Sequence, residues 1–423
     1  LHDALPISEH EFRILNVGQQ IRSFEKDFSK AADAIRDADL IIFSYPVYTF
    51  IAPSQLHRFI ELLKAAGIDV SEKFATQITT SKHFYDITAH RYIQQNCQDL
   101  RMKYIKGLSA DMDDLLTENG RKEAKEFFEY VLWCMEHDVY ETIPEHTAAP
   151  KHLPVSTAVP AQDKTDGDVV IVTDCCKDDR QLNDMIERFR AVLKCKSRII
   201  NISEYPFRGG CLGCFNCAVS GKCVYKDGFD DFLRNDIQTA DAIIYAFSIK
   251  DHSMGSVFKT YDDRQFCNGH RTVTMGKPTG YLISGNYPAE SNLQMIIEGR
   301  SEVGGNFLAG IACDELNPDA EIDRLAARLD YALSHKYTQP ANFLGVGGMK
   351  IFRDLIWLMR GMMKADHRFY KEHGLYDFPQ KKKATVLKMY LVGALISSPK
   401  IKAKMGNKMN EGMIAPYKKV LSE

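Results

Sequence analysis

The feature that most restricts this chain is an alternation of short apolar runs with amphipathic helical segments, and it occurs twice. The more complete copy opens with DVVIVT (Asp168 to Thr173), followed by RQLNDMIERFRAVLK with Leu182, Ile186, Phe189 and Leu193 at helical spacing. RIINIS, DAIIYAFS, PTGYLISG and NFLAGIAC continue the series, each trailed by a helix-like stretch and the last by EIDRLAARLDYAL. Apolar β-branched runs of this length, each followed by a helix, predict a parallel sheet covered by helices on both faces.

The first copy is shorter. FRILNV (Phe12 to Val17) reads as a strand, FEKDFSKAADAI as a helix and ADLIIFS as a strand. PSQLHRFIELLKA, FATQITT, TAHRYIQQNCQDL, YIKGLS and a long helix ending near Glu136 follow. Setting ADLIIFS beside DAIIYAFS shows that the first strand and helix of this copy have no counterpart, so the copy reads as truncated at its start. The eight residues LHDALPIS match nothing downstream and resemble a translated cloning adapter. The expected organisation is a truncated doubly wound α/β domain over 9–138, a Pro-rich linker over 139–167, a second such domain over 168–335 and a basic helical tail over 346–423.

Charge sharpens that division. The 423 residues carry a formal net charge of −2, yet the chain from Ala341 onward holds sixteen Lys and Arg against six Asp and Glu. No global field calls for a nucleic acid, and no nucleic-acid motif is present. No apolar run approaches the roughly 18 residues that span a bilayer. The eleven cysteines are an odd number with no secretory leader ahead of them, which points to a reducing cytoplasm and away from a disulfide framework. The tail's Met- and Trp-containing stripe reads first as packing within the chain and second as a membrane-surface contact.

In a doubly wound sheet, ligands sit beyond the carboxyl ends of the strands. After ADLIIFS the chain runs Ser44-Tyr45-Pro46-Val47-Tyr48, two aromatics around a Pro-fixed turn, which suits stacking of a flat ring. A turn whose aromatics merely cover the sheet edge is the other reading. The next strand end supplies Thr79, Thr80, Ser81 and Lys82 at the same rim. In the second copy, GCLGCFNCAVSGKC places Cys211, Cys214, Cys217 and Cys223 within one glycine-rich loop. Three thiolates at two-residue gaps and a fourth shortly after can hold a cubane iron–sulfur cluster. A tetrahedral zinc or four thiols without metal also fit the composition.

The order strand, SYPVY, PSQLHRFIELL resembles the flavodoxin-like NAD(P)H-dependent FMN reductase superfamily, and the cysteine run resembles its iron–sulfur flavoprotein branch. The resemblance spans Phe12 to Leu333 and implies two tandem flavodoxin-like domains, FMN against Ser44 to Tyr48 and Thr79 to Lys82, and a [4Fe-4S] cluster on the four cysteines. It further implies NAD(P)H or a ferredoxin-like protein as electron donor, and assembly as an oligomer. The second copy departs from that pattern: Asp174, Asp178 and Asp179 stand where hydroxyls would receive a phosphate, and Ser248 to Met254 lacks the Pro and both aromatics. The expectation is therefore a fused pseudo-dimer, with FMN on the first copy and the cluster on the second, acting as an oxidoreductase. A cluster-free FMN or quinone reductase and a non-enzymatic electron-transfer protein are the alternatives.

Overall fold

The computed structural model describes residues 10–144, 151–160 and 163–396; the adapter-like start and the end of the basic tail lie outside these. The described chain up to Phe369 forms one compact unit and the chain from Tyr370 a second.

The first half of the larger unit runs α1 (Val17–Lys26), α2 (Ser29–Asp37), β1 (Leu40–Pro46), α3 (Ser54–Ala65), β2 (Phe74–Ser81), α4 (Asp86–Asp99), β3 (Lys103–Tyr104), β4 (Leu108–Asp111) and α5 (Glu118–Glu136). All its strand pairs are parallel, with β1 on one side of β2 and both β3 and β4 on the other. The strand expected over YIKGLS is thus interrupted. A Cβ at Gly107 would stand 2.4 Å from the Gln77 carbonyl oxygen, so the chain crosses β2 too closely there to carry a side chain.

FRILNV is not a strand. Asn16 caps α1, accepting the Gln19 N–H at 3.3 Å, so helix begins where the run was expected to end. Among the described residues no strand pairs with the outer edge of β1. Without a neighbour to complete its ladder, a six-residue apolar run has no reason to extend. Leu15 and Val17 pack on the first-half core instead.

The second half runs β5 (Thr165–Thr173), α6 (Arg180–Val192), β6 (Cys195–Asn201), α7 (Asn216–Ser220), α8 (Phe229–Phe232), β7 (Ala242–Ser248), α9 (Gly255–Arg264), β8 (Pro278–Ser284), α10 (Ser291–Gly304), β9 (Phe307–Cys313) and α11 (Pro318–His335). Its sheet is wholly parallel in the order β6-β5-β7-β8-β9. Numbered within the half, that is 2-1-3-4-5, the flavodoxin-type winding. One core packs α6 and α11 against Val169, Ile171 and Leu282 on one face. The other packs Phe229, Phe258 and Tyr261 against Val170, Val172 and Ile283. β1, β2 and the β3–β4 pair stand in the positions of strands 3, 4 and 5 of this pattern.

α3 and α9 hold corresponding places in the two halves and pack on each other. Their contacts are reciprocal. The Ser54 N–H at the start of α3 donates to Asp263 Oδ2 at 2.7 Å, and the Ser256 N–H at the start of α9 donates to Glu61 Oε1 at 2.7 Å. In each helix, serine and carboxylate lie two turns apart. His57 meets Asp251 at 2.6 Å, while at the matching positions Lys259 meets Thr49. Contacts in which i meets j and j meets i are the signature of an isologous two-fold interface, here formed within one chain.

Beyond the second half, α12 (Phe343–Leu358) lies along α10, with Gly345 against the Glu302 carbonyl and Gly348 against Val303 and Phe84. α13 (Lys364–Glu372) follows, and its Asp366, buried, bonds His270 and Arg271. α14 (Lys383–Ile396) belongs to the smaller unit. Among the described residues no helix is long and apolar enough to cross a membrane.

Candidate functional site

A cavity of about 540 Å³ opens between the halves. Pro46, Val47, Tyr48, Thr80, Ser81 and Lys82 line it from the first half; Cys211, Cys214, Cys217 and Cys223 line it from the second. Loops of two distinct sheets therefore face one space, although some 130 residues separate Lys82 from Cys211 in the chain.

The first-half loop is strained and over-determined. Thr49 and Phe50 have φ of 44° and 74°, a left-handed region that costs a residue bearing a Cβ about 1–3 kcal/mol each. Several bonds hold it there. Tyr48 and Ile51 exchange backbone hydrogen bonds at 2.8 and 3.1 Å, and the Thr49 hydroxyl reaches Asp262 and Asp263 at 2.8 and 2.9 Å. Phe50 packs on Phe84 and Tyr85, with ring centroids 4.9 and 4.3 Å away. Lys259, Asp262 and Asp263 of α9 are fully buried, and Arg300 of α10 pairs with Asp262. Two cations against two anions leave this buried cluster neutral, which is what lets charges remain in a dry interface.

Three of the rim residues expected from sequence do not line the cavity. Tyr45 is buried, its hydroxyl donating to Gln77 Oε1 at 2.6 Å and lying 3.0 Å from the Ala89 carbonyl. Thr79 is buried with its hydroxyl 2.8 Å from His90 Nε2. Ser44 is exposed. Strand side chains alternate between faces, so Ser44 and Pro46 cannot share a face with Tyr45. Lys82 is held by Asp111 and Asp113 at 2.6 and 2.8 Å, bonds that raise its pKa and keep it cationic.

The cysteine loop lies directly on this rim. A Cβ at Gly213 would sit 1.7 Å from the Tyr48 hydroxyl, and one at Gly210 would sit 2.3 Å from Ser54 Oγ. Only glycine permits that approach. Gln55 Nε2 donates to the Cys211 carbonyl at 3.3 Å, Arg271 to the Cys217 carbonyl at 3.2 Å, and Arg234 to the Gly221 carbonyl at 2.7 Å. The Cys223 N–H donates to Asp230 at 3.1 Å, which gives that carboxylate a structural role in the loop. Arg264 is almost wholly buried, forked onto Asp227 by two bonds of 2.8 Å, stacked 4.4 Å from Tyr225 and 3.8 Å from Cys223 Sγ. Burial raises the Cys211 thiol to about 12 and raises that of Cys217. Metal binding at such thiols would release protons.

As a donor set, four thiols line one cavity from a loop closed by Gly213 and Gly221, with a guanidinium against one sulfur, a chemistry that suits iron–sulfur ligation. Among the described residues no group of three His, Cys, Asp or Glu side chains is arranged to hold a metal ion. Cys267 lines the cavity as a fifth thiol, and burial pushes it up to about 12.

At the matching place in the second half, a crevice of about 700 Å³ opens at the ends of β7 and β8. It does not fit a phosphate. Asp179 caps α6, accepting the Leu182 N–H at 3.2 Å, and also bonds Ser248. The helix terminus that would receive an anion already carries one. Buried Asp314 takes the Ser284 hydroxyl and the Gly285 N–H, both at 2.8 Å, so the donors that would meet a flavin edge are occupied. Cys175 is buried with its thiol raised to about 12, which argues against a reactive thiolate there.

Several residues of the site escape a sequence reading. Arg264, Lys259, Asp262 and Asp263 fall in KTYDDR, which looks like a solvated helix face until its partner half is known. Phe352 and Leu355 of α12 close the cavity from the tail, Phe352 stacking 4.4 Å from Phe84.

The winding and the shared cavity define a tandem flavodoxin-like α/β protein whose two halves meet about a pseudo-two-fold axis. Among proteins of described function, the chain is similar to an iron-sulfur flavoprotein of Archaeoglobus fulgidus, 27% identical over 173 residues, which covers 39% of this chain and 78% of that one. Among solved structures, an NAD(P)H:quinone oxidoreductase from Methanothermobacter marburgensis aligns over 42% of this chain and all of its own, at 15% identity and a TM-score of 0.31. The Flv1 flavodiiron core from Synechocystis aligns over 74% and 86%, at 10% identity and a TM-score of 0.28. No protein-family model matches the chain.

Proposed function

We propose that this chain is an NAD(P)H-dependent flavin oxidoreductase in which the two halves build one redox site: the FMN ring against the first-half rim, and a [4Fe-4S] cluster on Cys211, Cys214, Cys217 and Cys223. The observation that carries the reading is the single cavity lined by Pro46 to Tyr48, Thr80 to Lys82 and all four cysteines. The description of the Archaeoglobus relative as an iron-sulfur flavoprotein supports the same pair of groups. When bound, FMN accepts a hydride and releases single electrons, while a cluster carries single electrons only.

The chain's own residues supply position and environment. The fixed Tyr48–Phe50 turn presents an aromatic wall, and the ordered backbone of Thr80 and Ser81 offers edge contacts. Lys82 adds a cation at the rim. Arg264 places an N–H and a positive charge against Cys223, which favours the reduced state of whatever that sulfur holds. Phe84, Phe266 and Phe352 exclude water from the space between. The counterparts of strands 1 and 2, whose first loop would hold a phosphate, are not among the described residues of the first half.

The test is an absorption spectrum with iron and sulfide assays on protein purified without oxygen, followed by NAD(P)H oxidation with an artificial acceptor. Flavin bands over a reductant-bleached cluster absorption, with about four irons per chain, are expected. Flavin without iron would leave a cluster-free FMN or quinone reductase. A colourless protein would overturn both.

A further inference from the structure

Two arginines clamp the cysteine loop, and each has its own carboxylate. Arg264 is forked onto Asp227, just beyond Cys223 in the chain, and also donates to the Gly209 carbonyl at 3.0 Å. Arg271 donates through Nη1 to the Cys217 carbonyl at 3.2 Å and through Nη2 to the Cys267 carbonyl at 3.3 Å. Its carboxylate is Asp366, at 2.9 Å, and that residue comes from α13, beyond Leu333 where the resemblance to flavoproteins ends.

Asp366 is wholly buried. It accepts the His270 N–H at 3.1 Å and lies 3.0 Å from His270 Nδ1. Gly269, at φ 61°, makes room for it, since a Cβ there would stand 2.4 Å from Asp366 Oδ1. A carboxylate so enclosed holds the guanidinium in one orientation, and the planar fork can then bridge two carbonyls that a flexible cation would not. We propose that Asp366 is a positioning residue of the redox site: acting through Arg271, it fixes the Cys217 end of the cysteine loop and neutralises the cation beside it. The first effect needs no metal; the second rests on the cluster assignment proposed above. The tail's α13 is thereby part of the site.

Two variants separate these effects. Asp366→Asn leaves Arg271 charged without its carboxylate, and Arg271→Gln leaves Asp366 without its cation. In hydrogen–deuterium exchange of the iron-free full chain, both should speed exchange of segment 211–223 by roughly tenfold while β5, β7 and β8 keep their protection. The double variant should exchange no faster than either single one, because each removes the same contact. In the iron-loaded chain the reduction equilibrium should shift about tenfold, or about 59 mV for one electron, upward for Asp366→Asn and downward for Arg271→Gln. Opposite signs are what a charge pair gives; a loop merely loosened would move both variants the same way. Unchanged exchange in both single variants would overturn the positioning role, and shifts of one sign the electrostatic one. If Asp366→Asn loses the protection of the sheet as well, Arg271→Gln decides alone. A wild-type chain that takes up no iron would overturn the cluster assignment and the second effect, while the exchange result still decides the first.

Discussion

The two crevices related by the pseudo-two-fold axis began from the same architecture and now differ in kind. One is a cavity walled by aromatics and thiols, whose charged residues are neutralised around its rim by α9 and α10. The other is an open crevice whose polar groups are already paired with one another: Asp179 on a helix terminus, Asp314 on Ser284 and Gly285, and His252 between Asp99 and Glu290. A symmetric dimer must build both sites alike. Fusing the halves in one chain frees each to change alone: here one half-site lines a cavity with aromatics and thiols, while the other serves as an internal lock through Asp99, His252 and Glu290.

The sharpest way to break that comparison is to remove a cluster ligand. Cys214→Ser should abolish iron incorporation while leaving secondary structure intact, and should lower cluster-dependent turnover by more than about a hundredfold. Iron assay and circular dichroism on the same sample check it. Cys175→Ser, in the other half-site, should change neither.

The reciprocal helix caps give the next largest contrast. Asp263→Ala strips a fully buried carboxylate from Lys259 and Ser54, and should cost about 3–5 kcal/mol in urea unfolding. Glu61→Ala removes the matching but more exposed cap at Ser256 and should cost about 1 kcal/mol. Equal losses would mean that the two ends of the interface are not differentiated.

The lock should titrate. Burial opposes the charge on His252, but Asp99 and Glu290 outweigh it and raise the imidazole to about 9, while Asp99 is held at about 2. Lys64 faces the same Asp99, and Arg101, His152 and Arg180 line the crevice around it. A folded value above the ordinary 6.5 means that stabilisation by His252 is complete below that pH and fades as pH rises through 9. His252→Gln should therefore destabilise by roughly 2 kcal/mol near pH 6 and by little at pH 10. Denaturation midpoints across that range are the measurement, and a constant difference would sink the idea.

The smallest effect separates a rim residue from a core one. Tyr45→Phe deletes the bond to Gln77 and should cost about 1–2 kcal/mol without altering flavin content. If flavin were lost instead, Tyr45 would belong to the site.

What the sequence determined by itself is local. Short apolar β-branched runs and period-3.6 patterns specified β5 to β9 and their helices, because each is written within the element it forms. The spacing of Cys211, Cys214, Cys217 and Cys223 likewise marked a candidate ligand loop without reference to anything distant, and the structure places all four on one cavity. Where a neighbour decides the outcome, the pattern misled: FRILNV found no strand to pair with, and Gly107 broke a run that reads as continuous. Only the tertiary structure decided that Tyr45 and Thr79 face the core, and that the cysteine loop lies on Tyr48. It alone showed the charges of KTYDDR to be buried against Thr49 and Ser54. The contacts of the cysteine loop and of KTYDDR join positions 156 to 214 residues apart, and no local periodicity carries the energy of a pairing between them.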